Sequence, residues 1–176
     1  LGLDTDRRRV RPAEAGIAEM MVDLYTHLSD PLTEDTLFHW HRLLMSGRAD
    51  LTDIGAYRKD GEPMQIVSGA IYAPKVHYEA PPALRVSDEM KSFLEWFSRT
   101  ASCGDTPLPV LTRAGVAHLW FELIHPLEDG NGRIGRAIAE KALAQGLNKP
   151  AITGIAGPLL RHRKDYYLAL EAASRT

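Results

Sequence analysis

A mainly α-helical fold with a small β excursion is what this 176-residue sequence predicts. Apolar residues recur at spacings of three and four through most of the chain, the period of a helix with one buried face. Residues 52–82 depart from that period, with scattered Gly and Pro and the β-branched Ile66, Val67, Ile71 and Val76. Such a stretch reads as an extended, hairpin-like segment. With 44% hydrophobic and 25% charged residues, a chain of this length suits one domain over 1–176 that buries roughly 70% of its unfolded surface.

The elements follow in order. Between Ala13 and Leu28, the residues Ile17, Met20, Met21, Leu24 and Leu28 line one helical face. After Asp30-Pro31, Thr33 followed by Glu34 and Asp35 is a helix-start signal; Leu37, Trp40, Leu43 and Leu44 carry the period to an end near Ser46-Gly47. Beyond the hairpin, Ser87 is an N-cap candidate for a helix with the stripe Met90, Phe93, Leu94 and Phe97, closed by a loop from Gly104 to Pro109. Val110 to Ile124, with Val116, Leu119, Trp120, Phe121 and Leu123, is apolar almost all round and predicts a helix buried at the centre. Ile134, Ile138 and Ala142 begin the next helix, and Leu159 to Ala173 supplies a last one through Leu160, Tyr167 and Leu170. No repeat, low-complexity tract or linker divides the chain.

Composition narrows the function classes. A formal net charge of -2 provides no global attraction to nucleic acid or to an anionic membrane, and Arg7-Arg8-Arg9 reads as a solvated turn or helix start. Cys103 is the one cysteine, so no internal disulfide forms and a reducing cytoplasm is the default expectation. No apolar stretch approaches the ~20 residues that span a bilayer, and the polar, Arg-rich start is no secretory signal. The sequence begins at Leu1 rather than at methionine, from which a fragment of a longer protein is expected.

Chemistry concentrates in His125 to Arg136, reading HPLEDGNGRIGR between two apolar helical stretches. Gly130, Asn131 and Gly132 precede a helix, where small residues let successive backbone N–H groups converge on an anion; they also suit an ordinary turn. Arg133 and Arg136 share a face of the first turns, where cations oppose the helix dipole. A bound phosphate would compensate them, as would surface carboxylates. Asp129 suits either a helix cap or a Mg²⁺ shared with phosphate oxygens and water. His125 lies just before Pro126, where the chain leaves the helix, and is either structural or a base for an attacking hydroxyl. His39 and His41 point to different helix faces, and no Cys/His set has zinc spacing. Gly130, Gly132 and Gly135 match a dinucleotide fingerprint, but a helix rather than a strand precedes them, and no acidic residue follows about 20 positions on.

The run HPLEDGNGRIGR resembles the Fic family of the Fic/Doc superfamily, whose loop reads HxFx(D/E)GNGRxxR. His125, Asp129, Gly130, Asn131, Gly132, Arg133 and Arg136 match it, and Leu127 stands where the family usually has phenylalanine. Further matches are Gly55-Ala56-Tyr57-Arg58, the helix before His125 and Arg163-Lys164-Asp165-Tyr166-Tyr167. His77 to Pro81 resembles a bacterial subgroup with an additional N-terminal helical region. The resemblance implies a Fic-type helical bundle with a β-hairpin flap. It also implies a protein adenylyltransferase that moves AMP from Mg-ATP to a Ser, Thr or Tyr hydroxyl of a target protein and releases pyrophosphate. In that scheme His125 is the general base, Asp129 holds Mg²⁺, Gly130, Asn131 and Gly132 cradle phosphate, and Arg133 and Arg136 orient the β/γ end.

Other roles rest on the same resemblance. The flap would be Gln65, Ile66, Val67 and Ser68, pairing with a target strand, and Tyr166 and Tyr167 would line the adenine pocket or pack in the core. Gly132 separates the chain from the Doc-like branch, which has lysine there and moves the γ-phosphoryl group. Leucine at 127 can fill the loop's hydrophobic anchor with a different shape. The inhibitory motif (S/T)xxxE(G/N) does not occur in the sequence, so a chain freed from upstream restraint is expected. A homodimer is left open, as are a different phosphate-linked donor, removal of AMP, and a binding module without turnover. Neither nucleic acid nor a membrane is an expected partner.

Overall fold

Pro12 opens helix α1 (Pro12–Thr26), since a first-turn residue needs no N–H and the proline ring sets a helical φ. The computed structural model describes residues 11–59, 64–70, 73–151, 157 and 161–173. Helix α2 (Glu34–Leu44) starts where Thr33 accepts a hydrogen bond from the Thr36 N–H, the expected cap. An antiparallel pair follows, β1 (Gln65–Ala70) with β2 (Ala73–Glu79), in register from Gln65 opposite Glu79 to Ala70 opposite Ala73 and bulged between Ile66 and Val67. Among the described residues, helices α3 (Ala83–Arg99), α4 (Val110–Ile124), α5 (Asn131–Leu147) and α6 (Arg163–Ala173) follow. The fold is mainly α with one small hairpin, as the hydrophobic period predicts.

Three details differ from that prediction. Helix α3 begins at Ala83 behind Pro82 (φ -55°, ψ 147°), without a side-chain cap, so Ser87 lies inside the helix. Pro82 has no N–H of its own to satisfy, its fixed φ suits a helix entrance, and its carbonyl accepts from the Arg85 N–H at 2.9 Å. Helix α4 is not buried all round: Leu111 is exposed and Val116 lies at the surface, while Arg113 and Glu122 are buried. Ile17 is likewise partly exposed, leaving Met20 and Leu24 as the inward side of α1. Leu159 and Leu160 lie outside the described residues, as do Arg7 to Arg9, and α6 is described from Arg163.

The core sits where α4 and α5 meet and extends to α2 and α3. Trp40, Phe93, Phe97, Phe121, Ile134 and Ile138 are fully or almost fully buried, and Phe93 packs against Phe97, Trp96, Trp120 and Phe121. Helix α5, buried over much of its length, packs against α4, α1 and α2. Its buried Lys141 donates to the carbonyls of His27 at 2.7 Å and Leu28 at 3.4 Å, closing the C-terminal end of α1. Trp40 donates to Asp23 at 2.7 Å, joining α2 to α1. No described helix is long and apolar enough to cross a membrane.

Close approach of α1 and α2 depends on one glycine. A Cβ at Gly16 would lie 1.9 Å from the Leu43 carbonyl oxygen, and backbone cannot rotate away as a side chain does. Gly16→Ala is therefore expected to destabilise by about 1–3 kcal/mol despite alanine's better helix propensity. Thermal unfolding should fall by roughly 2–4 °C per kcal/mol for a domain of this size. An unchanged midpoint would show that the two helices separate freely.

Candidate active site

Helix α4 ends because Pro126 disfavours a right-handed helical conformation for the residue before it. His125 becomes the C-cap with φ 48° and ψ 57°, a left-handed conformation that costs a non-glycine residue about 1–2 kcal/mol. Neighbouring contacts hold it there. The His125 N–H still donates to Phe121 at 3.0 Å, and Arg58, only 4% exposed, clasps the turn from outside. Its Nε donates to the His125 carbonyl at 2.8 Å, its backbone N–H to Pro126 at 2.9 Å and its Nη2 to Pro81 at 2.5 Å. The end of α4 is thereby tied to the chain that leaves the hairpin.

The imidazole is oriented by the same turn. His125 Nδ1 lies 3.3 Å from the Glu122 carbonyl, which can only accept, so Nδ1 carries the hydrogen and Nε2 the lone pair. Burial pushes its pKa below the usual histidine value, against the opposing pull of the Glu122 carbonyl; Arg58 adds to the decrease and Asp129 opposes it. The ring is consequently neutral near pH 7, as a proton acceptor must be.

Between His125 and α5 the loop is folded by Asn131. This side chain, 2% exposed, donates through Nδ2 to the Leu127 carbonyl at 2.8 Å and accepts from the Leu127 N–H at 2.9 Å. Leu127 is buried beneath it and fills the anchor position in place of a phenylalanine. Glu128 receives the N–H groups of Thr52 and Asp53, both at 2.9 Å, fastening the loop to the segment after α2. Gly130 is the N-cap of α5 at φ 84°, a conformation that glycine adopts without the Cβ penalty.

No side chain caps α5. Arg133 and Ile134 donate to Gly130, whereas the N–H groups of Asn131 and Gly132 precede any intrahelical acceptor. Those donors and the positive end of the helix dipole make an anion site. Asp129 does not serve as the cap: it accepts from the Gly130 N–H at 2.5 Å, from Arg48 at 2.7 Å, and lies 3.5 Å from Arg133. Burial raises its pKa, but Arg48, the Gly130 N–H and Arg133 outweigh burial and hold the carboxyl below its usual range.

His125, Glu128, Asp129, Gly130, Asn131, Gly132, Arg133 and Arg136 line one cleft of about 280 Å³. The loop residues singled out from sequence therefore share a single cleft. A larger cavity, about 420 Å³, lies away from this chemistry between Leu28, Phe97, Cys103 and Asn148. Tyr166 does not line this cleft, and its hydroxyl lies 2.9 Å from His118 Nε2. Of the hairpin residues, Gln65 is exposed and donates to Glu79 at 2.9 Å. The side chains of Ile66, Val67, Ser68 and Tyr167 lie outside the described residues. Among the described residues no group of three His, Cys, Asp or Glu gathers around a metal position. A cation beside Asp129 would therefore need further oxygens from a ligand, as Mg²⁺ on one carboxylate and a polyphosphate would have.

Sequence reasoning assigned no role to Arg48, Arg58 or His41. His41 is fully buried beneath Gly130 and accepts from the Gly55 N–H at 3.1 Å. Burial lowers its pKa, opposed by the carbonyl and charge of Asp129. The visible signal for Arg58 was its place in Gly55-Ala56-Tyr57-Arg58; Arg48 and His41 carried none, since both act across tertiary contacts.

The Fic/DOC family model matches residues 31–143, which include the whole cleft. A probable protein adenylyltransferase of Aquifex aeolicus is 27% identical over 117 residues, covering 66% of this chain and 30% of its own length. Protein adenylyltransferase fic-1 of Caenorhabditis elegans is 24% identical over 161 residues, covering 92% and 28%. In structure, a Fic family protein from Desulfovibrio desulfuricans G20 superposes with a TM-score of 0.69 at 29% identity, covering 93% of this chain and 47% of that one. The chain thus spans less than a third of these curated relatives and about half of that solved chain. On its sequence match and on the loop geometry that accompanies it, the chain belongs to the Fic/DOC family.

Proposed function

We propose that this domain transfers AMP from Mg-ATP to a Ser, Thr or Tyr hydroxyl of a target protein and releases pyrophosphate. One observation carries the reading: a neutral His125 whose Nε2 holds the lone pair lies in the same cleft as an uncapped helix N-terminus and two arginines. The names of the Aquifex and Caenorhabditis relatives support it. His125 Nε2 accepts the proton as the target hydroxyl bonds to the α-phosphorus, and the bond from that phosphorus to the pyrophosphate oxygen breaks. Backbone N–H groups of Asn131 and Gly132 receive phosphate oxygens, and Arg133 and Arg136 orient the β/γ end. Asp129 would hold Mg²⁺, which supplies charge neutralisation on the polyphosphate when bound. Positioning and charge stabilisation carry most of such a transfer.

Strand β1 would present the target. Its one partner among the described strands is β2, and a two-stranded ribbon has edges on which an extended segment can add by main-chain pairing. Tyr166 and Tyr167 are proposed near the adenine.

Transfer from α-labelled and γ-labelled ATP, compared in parallel on a matched lysate, tests the activity. Label from the α-phosphate alone, lost in His125→Ala, is the expected result; γ-label alone would overturn it in favour of phosphoryl transfer. Arg136→Ala is expected to weaken ATP binding about 10- to 100-fold, the scale of a lost charge-assisted contact. Calorimetric titration with ATP measures it, and unchanged affinity would remove Arg136 from the polyphosphate.

A further inference from the structure

Glu122 lies one helical turn from His118 on the side of α4 that meets α5. Each carries a buried side-chain atom without a hydrogen-bond partner, Glu122 Oε1 and His118 Nδ1. Both atoms occupy a notch left by two glycines of α5. A Cβ at Gly135 would lie 2.7 Å from Glu122 Oε1 and 3.1 Å from His118 Nδ1. A Cβ at Gly132 would lie 3.7 Å from Glu122 Oε1 and 3.3 Å from Arg136 Nη1. Carboxyl and guanidinium thus flank the same point, one behind the bare backbone of Gly132 and the other reaching the cleft.

An ionised carboxylate there would compete with a bound anion for one guanidinium. We propose that Glu122 is a positioning residue for Arg136: a neutral carboxyl leaves the guanidinium aimed at the cleft, an ionised one draws it back across Gly132, and polyphosphate and a proton therefore bind together. The inference rests on the polyphosphate reading of the cleft. Burial raises the Glu122 pKa to about 7 while Arg136 pulls it down, and phosphate charge nearby would favour the neutral form further. The facing groups are His118 on the same helix, Arg136 from α5 and, through its bond to His118, Tyr166 from α6. His118 does not neutralise the site, because burial lowers its own pKa and Arg136 adds to that, against the Gly135 backbone. His125 meets only the Glu122 backbone carbonyl through Nδ1.

Linkage sets the sign. A group that is more protonated in the complex makes affinity fall as pH rises above its free pKa, by at most about tenfold per pH unit. Mg-ATP binding measured by calorimetry at about pH 6.5 and pH 8.5, in two buffers of different ionisation enthalpy, should weaken roughly tenfold more in the wild type than in Glu122→Gln. The variant keeps the shape of the neutral acid and should show less proton uptake. Both proteins see the same ionisation of ATP and of His125, so their difference isolates Glu122. Equal pH slopes would overturn the proposal while leaving the cleft reading intact; failure of the wild type to bind ATP at either pH would overturn both. Should the variant not fold, infrared difference spectra of the wild type decide: gain of a buried protonated-carboxyl band on ATP binding at pH 8 supports the proposal, and no such band refutes it.

Discussion

His125→Ala is expected to lower AMP transfer by about 10²- to 10⁴-fold while changing ATP affinity far less. The asymmetry follows from where the ring sits. Its Nδ1 is held by the Glu122 carbonyl and its backbone by Arg58, so the side chain is aimed by contacts that alanine does not disturb, and Nε2 alone faces the chemistry. Single-turnover transfer alongside equilibrium ATP binding measures the two effects separately. Equal losses in both would assign His125 to binding. The pH dependence gives a second check with a definite sign. Burial holds the imidazole pKa below 6.5, so the base is unprotonated at neutral pH, and transfer should decline only as pH falls below that depressed value. A decline that begins above pH 7 and follows histidine protonation would contradict the buried environment.

Legibility from sequence divides along the contact map. Phosphate-site residues fall within the single run from Asp129 to Arg136, and a turn followed by a helix places them locally, so their convergence could be read directly. Asn131 shows the limit of that reading. Its position announced a phosphate cradle, yet its side chain is directed inward onto Leu127 and leaves only its backbone N–H for the cleft. Arg58 and Arg48 reach the loop from residues 67 and 81 positions away, separations that no local period encodes. Hydrophobic pattern likewise located α4 but not its orientation, because an almost uniformly apolar stretch does not mark a face; the buried pair Arg113 and Glu122 appeared only on packing. The N-cap of α3 lies five residues before Ser87, since serine is the commoner signal and Pro82 the one that acts here.

Asn131 carries the other large expected effect, and two substitutions there should part company. Asn131→Ala removes both bonds to Leu127 and leaves its N–H and carbonyl buried without partners, at about 1–3 kcal/mol each. The loop then loses the clasp that sets His125 against the first turn of α5, and a displacement near 1 Å is enough to cost about 10²-fold in rate. Asn131→Asp retains an acceptor for the Leu127 N–H, loses the donor to its carbonyl and adds negative charge at a helix N-terminus, which the dipole favours. The aspartate should therefore unfold at higher denaturant than the alanine variant yet bind ATP more weakly, because its charge opposes the polyphosphate beside Gly132 and Arg136. Urea unfolding and ATP titration of both proteins would record this inverted order. If alanine were instead the more stable of the two and bound ATP more weakly, the Asn131 amide would have to face the nucleotide rather than Leu127, and the loop would not be folded by the contact that defines it here.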